Sequence, residues 1–159
     1  LHIANAILIP EVISLLNENH TVTIPLRGFS MRPFLEDKRD KALLKTVHDI
    51  KVGDVVLAEI KREQYVLHRI IAIKENDITL LGDGNLKPEY CKRSDIKGIA
   101  IGFYRKGRTE PDAVDGWKWK TYSRIWLLLK PFRRYIHLHL CHSRLRQFNI
   151  LLSNLINII

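Results

Sequence analysis

Three short segments hold the residue types that could do chemistry together: Gly28-Phe29-Ser30-Met31-Arg32-Pro33, then Leu67-His68-Arg69-Ile70, then Gly82-Asp83-Gly84-Asn85. A serine hydroxyl is a poor nucleophile near neutral pH, so a serine that attacks carbonyls needs a neighbouring group to take its proton. Histidine suits that task because its ordinary pKa, about 6.5, leaves most of it neutral at pH 7. Gly28 permits a sharp turn and Pro33 fixes its own φ, so Ser30 would be presented on a stiff loop. Asp83 sits in a glycine-rich turn, where aspartate commonly serves local hydrogen bonding but can also orient an imidazole. The chemistry such a trio supports is acyl transfer, with Ser30 as nucleophile, His68 as base and Asp83 as supporting acid.

The elements that must position these residues read as mostly β. Ile9-Pro10-Glu11 opens a short amino-terminal helix, with proline in its first turn and Ile9, Val12, Ile13 and Leu16 on one apolar face. Thr21 to Leu26 alternates with period two, Pro25 marks it as an edge strand, and it delivers the Ser30 loop. Glu36 to Lys41 is a charged loop, and strands are expected at Ala42 to Val47, Val55 to Ile60, Tyr65 to Ile73, Ile78 to Leu81 and Ile96 to Tyr104. Lys61 to Gln64 closes a hairpin. Val66, His68, Ile70 and Ala72 share one face of the fourth of these strands, and Gly98 and Gly102 invite bulges in the last.

The chain has 159 residues, enough for one core of ordinary size. The expected organisation is a catalytic domain over residues 1–110 and a basic, aromatic, helical tail over residues 111–159. Lys and Arg number 26 against 17 acids, and the net charge of +9 favours an anionic partner. From Trp117 to Arg146 the chain mixes aromatic, aliphatic and basic residues, a composition that fits a helix packed on the core with a charged outer face, or peripheral contact with a membrane surface. No run reaches the roughly 18 to 20 apolar residues of a spanning helix. The segment from Leu1 to Pro10 lacks the pattern of a cleavable leader, so the expected location is cytoplasmic or peripheral to a membrane. Cys91 and Cys141 lack metal-site spacing. His137, His139, Cys141 and His142 crowd one segment without a carboxylate or a rigid scaffold, so no metal and no cofactor is expected.

The order Gly-x-Ser-Met-x-Pro, Gly-Asp-Val-Val, Leu-His-Arg-Ile and Leu-x-Gly-Asp-x-Asn resembles the serine peptidases that group signal peptidase I with the self-cleaving SOS-type repressors. Residues 20–104 carry the resemblance. The better-known bacterial members have a lysine base where His68 stands, whereas archaeal and endoplasmic-reticulum signal peptidases have histidine, so the chain is similar to the histidine type. The resemblance implies a compact, barrel-like β core, Ser30 as nucleophile, His68 as base and then acid, Asp83 as a supporting acid, Met31 lining the substrate site, and a peptide or protein substrate. A second family acid falls at Glu89, where aspartate is usual. The family's histidine-type members carry a membrane anchor just ahead of the serine, and here an amphipathic helix occupies that place.

Two other readings use the same residues. One is a catalytically degenerate peptidase fold whose basic surface binds membrane or nucleic acid; the absence of a helix-turn-helix pattern ahead of the core argues against nucleic acid. The other is self-cleavage, which needs a scissile loop near Ser30, and no Ala-Gly dipeptide occurs in the chain.

Overall fold

In the computed structural model, residues 5–129 are described. The chain runs α1 (Asn5–Asn17), β1 (Val22–Pro25), β2 (Lys41–Lys45), β3 (Val55–Lys61), β4 (Gln64–Lys74), β5 (Asp77–Leu81), β6 (Glu89–Lys92), a 3₁₀ turn (Arg93–Asp95), β7 (Ile96–Tyr104), β8 (Asp112–Ala113) and α2 (Trp117–Leu128). All strand pairs are antiparallel, in the order β1-β2-β7-β3-β4-β5-β6 with β8 on β7. The described part is mainly β, with a helix at each of its ends. The sheet stays open rather than closing into a barrel, because β1 and β6 do not pair with each other.

Alternation along the strands divides the apolar residues between two clusters. One holds Leu16, Leu44, Leu57, Phe103, Trp119 and Tyr122. The other holds Ile50, Val56, Ile70, Ile78, Leu80 and Ile96. Residues 97 and 101 of β7 are skipped in its pairings with β3 and β2, bulges beside Gly98 and Gly102 that bend the strand so it can serve both layers. At Gly98 the bend also admits α1, since a Cβ there would lie 2.8 Å from Leu16.

Three expectations shift. α1 is already helical at Asn5, which places Pro10 inside the helix rather than in its first turn. The missing N–H there is tolerated because Ile9, Val12 and Leu16 are buried, and packing outweighs one lost backbone bond. β6, absent from the sequence reading, forms by pairing Asp77–Leu80 of β5 with Glu89–Lys92. The expected boundary near residue 110 is no boundary in the described part: β8 pairs with β7, and α2 buries Trp119 and Tyr122 in the first cluster. Lys118, Lys120 and Arg124 of α2 stay exposed.

The loop between β1 and β2 carries Ser30 and is tied at its base. Leu26 N donates to Asp40 O at 3.0 Å and Lys38 N to Leu26 O at 3.0 Å. The Asp40 carboxylate is fully buried and accepts from Glu36 N (2.9 Å), Lys106 N (3.1 Å) and the Arg39 guanidinium (2.7 and 2.9 Å). Burial alone would push the Asp40 carboxyl up, but these donors together hold it below its ordinary range. Asp40→Ala leaves two backbone donors without their acceptor and is expected to cost about 2–3 kcal/mol. Urea unfolding should show a lowered midpoint with an unchanged slope.

Candidate active site

Ser30 sits where its loop turns back toward the sheet. Gly28 takes φ +84°, a left-handed conformation that favours glycine, and its N–H donates to Asp37 Oδ1 at 2.8 Å. Arg32 N bonds Phe29 O (3.1 Å) and Leu35 N bonds Met31 O (3.0 Å), closing turns around the serine. Met31, Phe34 and Leu35 plug the loop into the core, Phe29 is exposed and Ser30 is half-buried. Arg32 pairs with Glu36 and lies over the Phe29 ring at 4.1 Å, so it braces the loop.

His68 is placed by register. β5 ends at Leu81, opposite Arg69 of β4, so among the described residues the Gln64–His68 stretch of β4 is paired only with β3. Ile70, Leu80 and Glu89 stand in one row across β4, β5 and β6. His68 lies two residues from Ile70 on the same face. The Glu89 side chain therefore reaches past the end of β5, and its Oε2 lies 2.5 Å from His68 Nδ1. A carboxylate accepts, so Nδ1 carries the proton and Nε2 keeps its lone pair, the tautomer that a base requires. Burial pushes the imidazole below its ordinary pKa, while Glu89 and then Asp83 pull it partly back up.

Gly82 joins the two halves. A Cβ at that position would lie 2.5 Å from Ser30 O and 3.0 Å from His68 Nε2, so the serine backbone and the unprotonated ring nitrogen converge on a residue with no side chain. Gly84 N donates to Ser30 O at 2.7 Å, and a Cβ at Gly84 would lie 2.7 Å from Phe29 O. Ser30, Met31 and His68 line one cavity of about 560 Å³, whose other walls include Ile24, Leu26, Leu57 and Leu67. The Ser30 hydroxyl makes no hydrogen bond among the described residues.

Asp83 is close by but differently engaged. Arg69 donates to it through Nε (2.8 Å) and Nη2 (2.7 Å), and the Tyr122 hydroxyl donates to its Oδ2 at 2.9 Å. The direct orienting contact on His68 thus belongs to Glu89, and Asp83 bears on the imidazole through its charge. Arg69 is fully buried and structural. Its remaining donors reach Gly53 O (2.9 Å) and Ser123 Oγ (2.7 Å). Burial opposes its charge, but Asp83 prevails and holds its pKa above the ordinary value.

Glu89 was legible as a second acid but not as the His68 partner, because β6 was not foreseen; the alternating run Glu89-Tyr90-Cys91-Lys92 was its available signal. Tyr122 and Ser123 had no local signal at all. Among the described residues no group of three or more His, Cys, Asp or Glu side chains could hold a metal. His137, His139, Cys141 and His142 lie outside the described residues. Burial pushes the Cys91 thiol up to about 11, away from nucleophilic use. No protein-family model matches the chain, and no curated protein matches it either.

Imidazole ¹⁵N spectra should show His68 titrating below 6.5, with Nδ1 protonated in the neutral form. In Glu89→Gln the midpoint should fall further, because the charge that favours the imidazolium is gone while burial persists. A midpoint that rises in that variant would contradict the arrangement.

Proposed function

We propose that the protein is a serine endopeptidase of the signal-peptidase type, cleaving a precursor or leader peptide with Ser30 as nucleophile and His68 as general base. The observation that carries this reading is the pairing of roles on His68: Glu89 holds Nδ1, while Nε2 faces Gly82 beside the Ser30 backbone, at the wall of a cavity with both apolar and polar lining. In the reaction, Ser30 Oγ attacks the scissile carbonyl carbon as Nε2 accepts its proton. Collapse of the tetrahedral intermediate breaks the C–N bond, and Nε2 returns the proton to the leaving amine. Water, deprotonated by the same nitrogen, then hydrolyses the Ser30 ester. Glu89 keeps the ring in the required tautomer and stabilises the imidazolium that forms.

An extended peptide is the substrate form this site would take. Among the described residues the Gln64–His68 stretch of β4 has no strand partner on the side away from β3, and it runs along the cavity to His68. A substrate strand added there would find backbone partners along the edge and an apolar pocket formed by Met31, Leu57 and Leu67 for its side chains. No helix among the described residues is long and apolar enough to cross a membrane. Exposed Trp117 and Leu128, with Lys118, Lys120 and Arg124 between them, support peripheral contact with an anionic lipid surface through α2 and the tail.

A mixed peptide library, read by mass spectrometry, tests the activity. Ser30→Ala and His68→Ala should each abolish cleavage in a folded protein, and Glu89→Gln should lower kcat about 10²-fold. Gly82→Ala should also inactivate, since its methyl group would meet both Ser30 O and His68 Nε2. Undiminished cleavage by folded Ser30→Ala would end the proposal. Peptide binding without cleavage by the wild type would favour a degenerate, binding-only protein.

A further inference from the structure

Two buried hydroxyls on α2 have no part in the chemistry described so far. Tyr122 and Ser123 are both nearly inaccessible, and both point at the Arg69–Asp83 pair: Tyr122 donates to Asp83 Oδ2 at 2.9 Å, and Arg69 Nη1 donates to Ser123 Oγ at 2.7 Å. A helix needed only to cover an apolar layer would present apolar side chains here. Polar groups are tolerated because each completes a hydrogen bond to a buried charge.

The same helix also touches the nucleophile's loop. The rings of Tyr122 and Trp119 pack on Phe34 with centroids 4.5 and 4.7 Å away, and Phe34 lies four residues beyond Ser30. The Trp119 ring in turn lies 4.6 Å from the Arg69 guanidinium. On one side, then, α2 reaches the Ser30 loop. On the other it reaches Asp83, which stands between Gly82, packed against His68 Nε2, and Gly84, whose N–H holds Ser30 O.

From this geometry we infer that Tyr122 and Ser123 are positioning residues, which act through Asp83 and Arg69 to hold the Gly82–Gly84 turn at the spacing that sets Ser30 against His68. The inference rests on the peptidase reading for its effect on rate, but the positional coupling stands apart from it. Both hydroxyls are bonded to the Arg69–Asp83 pair, and neither residue lines the cavity that holds Ser30 and His68. The charged groups that bear on His68 are Glu89 from β6 and Asp83 from the turn after β5, with Arg69 of β4 offsetting the latter.

Tyr122→Phe keeps the ring on Phe34 and removes only the hydroxyl, and Ser123→Ala removes the other contact. Each should lower kcat on the best-cleaved library peptide about tenfold with KM within about twofold, because alignment rather than binding is disturbed. In ¹⁵N spectra the Ser30, Gly82 and Gly84 amides and the His68 titration should move in both variants. Lys74→Ala, exposed at the end of β4, should change none of these. Wild-type kcat together with unmoved Ser30, Gly82 and Gly84 amides in Tyr122→Phe would overturn the inference. So would a rate loss that only tracks the fraction unfolded in a thermal melt. If the wild type cleaves nothing, yet Tyr122→Phe moves those amides and the His68 titration, the coupling holds and the peptidase reading alone falls.

Discussion

A guanidinium cannot escape burial by losing its proton, so Arg69, fully enclosed, obliges its surroundings to supply acceptors. Asp83 gives both carboxylate oxygens, Gly53 a carbonyl and Ser123 a hydroxyl. These partners come from the turn after β5, the turn before β3, and α2. One side chain on β4 thereby fixes three separate parts of the chain around the residue next to His68. Such a pair adds little net stability over an apolar replacement, because desolvating two ions offsets most of their attraction. What it does supply is geometry, since a bidentate fork tolerates little displacement.

Strand length creates the space in which the site lies. β5 stops at Leu81, and past that point β4 has one neighbour instead of two among the described residues. The gap receives the Gly82–Gly84 turn, the Glu89 side chain from β6 and the edge of the Ser30 loop. The alternation of β4 sends His68 toward the second apolar cluster and Arg69 toward the first, so the imidazole and the ion pair are adjacent in sequence but face opposite layers. The end of the sheet is where groups from both layers can meet.

Close approach explains the glycines better than flexibility does. At Gly82 and Gly84 any side chain would collide with the Ser30 or Phe29 carbonyl. These collisions would separate the loop from β4. The longer reach of glutamate has a similar geometric sense. Glu89 stands one strand beyond β5, and its carboxylate must cross to Nδ1 of His68.

The strands around the site were legible because each buries one face, and period-two alternation records that in the sequence: β7 is found with the bounds expected, and β3, β4 and β5 within a residue or so. The Ser30 loop and the Gly82–Asn85 turn were legible for a different reason, since glycine and proline mark backbone conformations that other residues avoid. β6 and β8 were not, being short segments that become strands only against β5 and β7. The sequence by itself determined that a serine, a histidine and acids would be held on β elements and turns. Tertiary structure alone decided which acid meets the imidazole, because a side chain's partner depends on register across three strands and on where the middle one ends. It also decided that α2 would close over the Arg69–Asp83 pair, a contact between residues far apart in the chain that leaves no periodic trace.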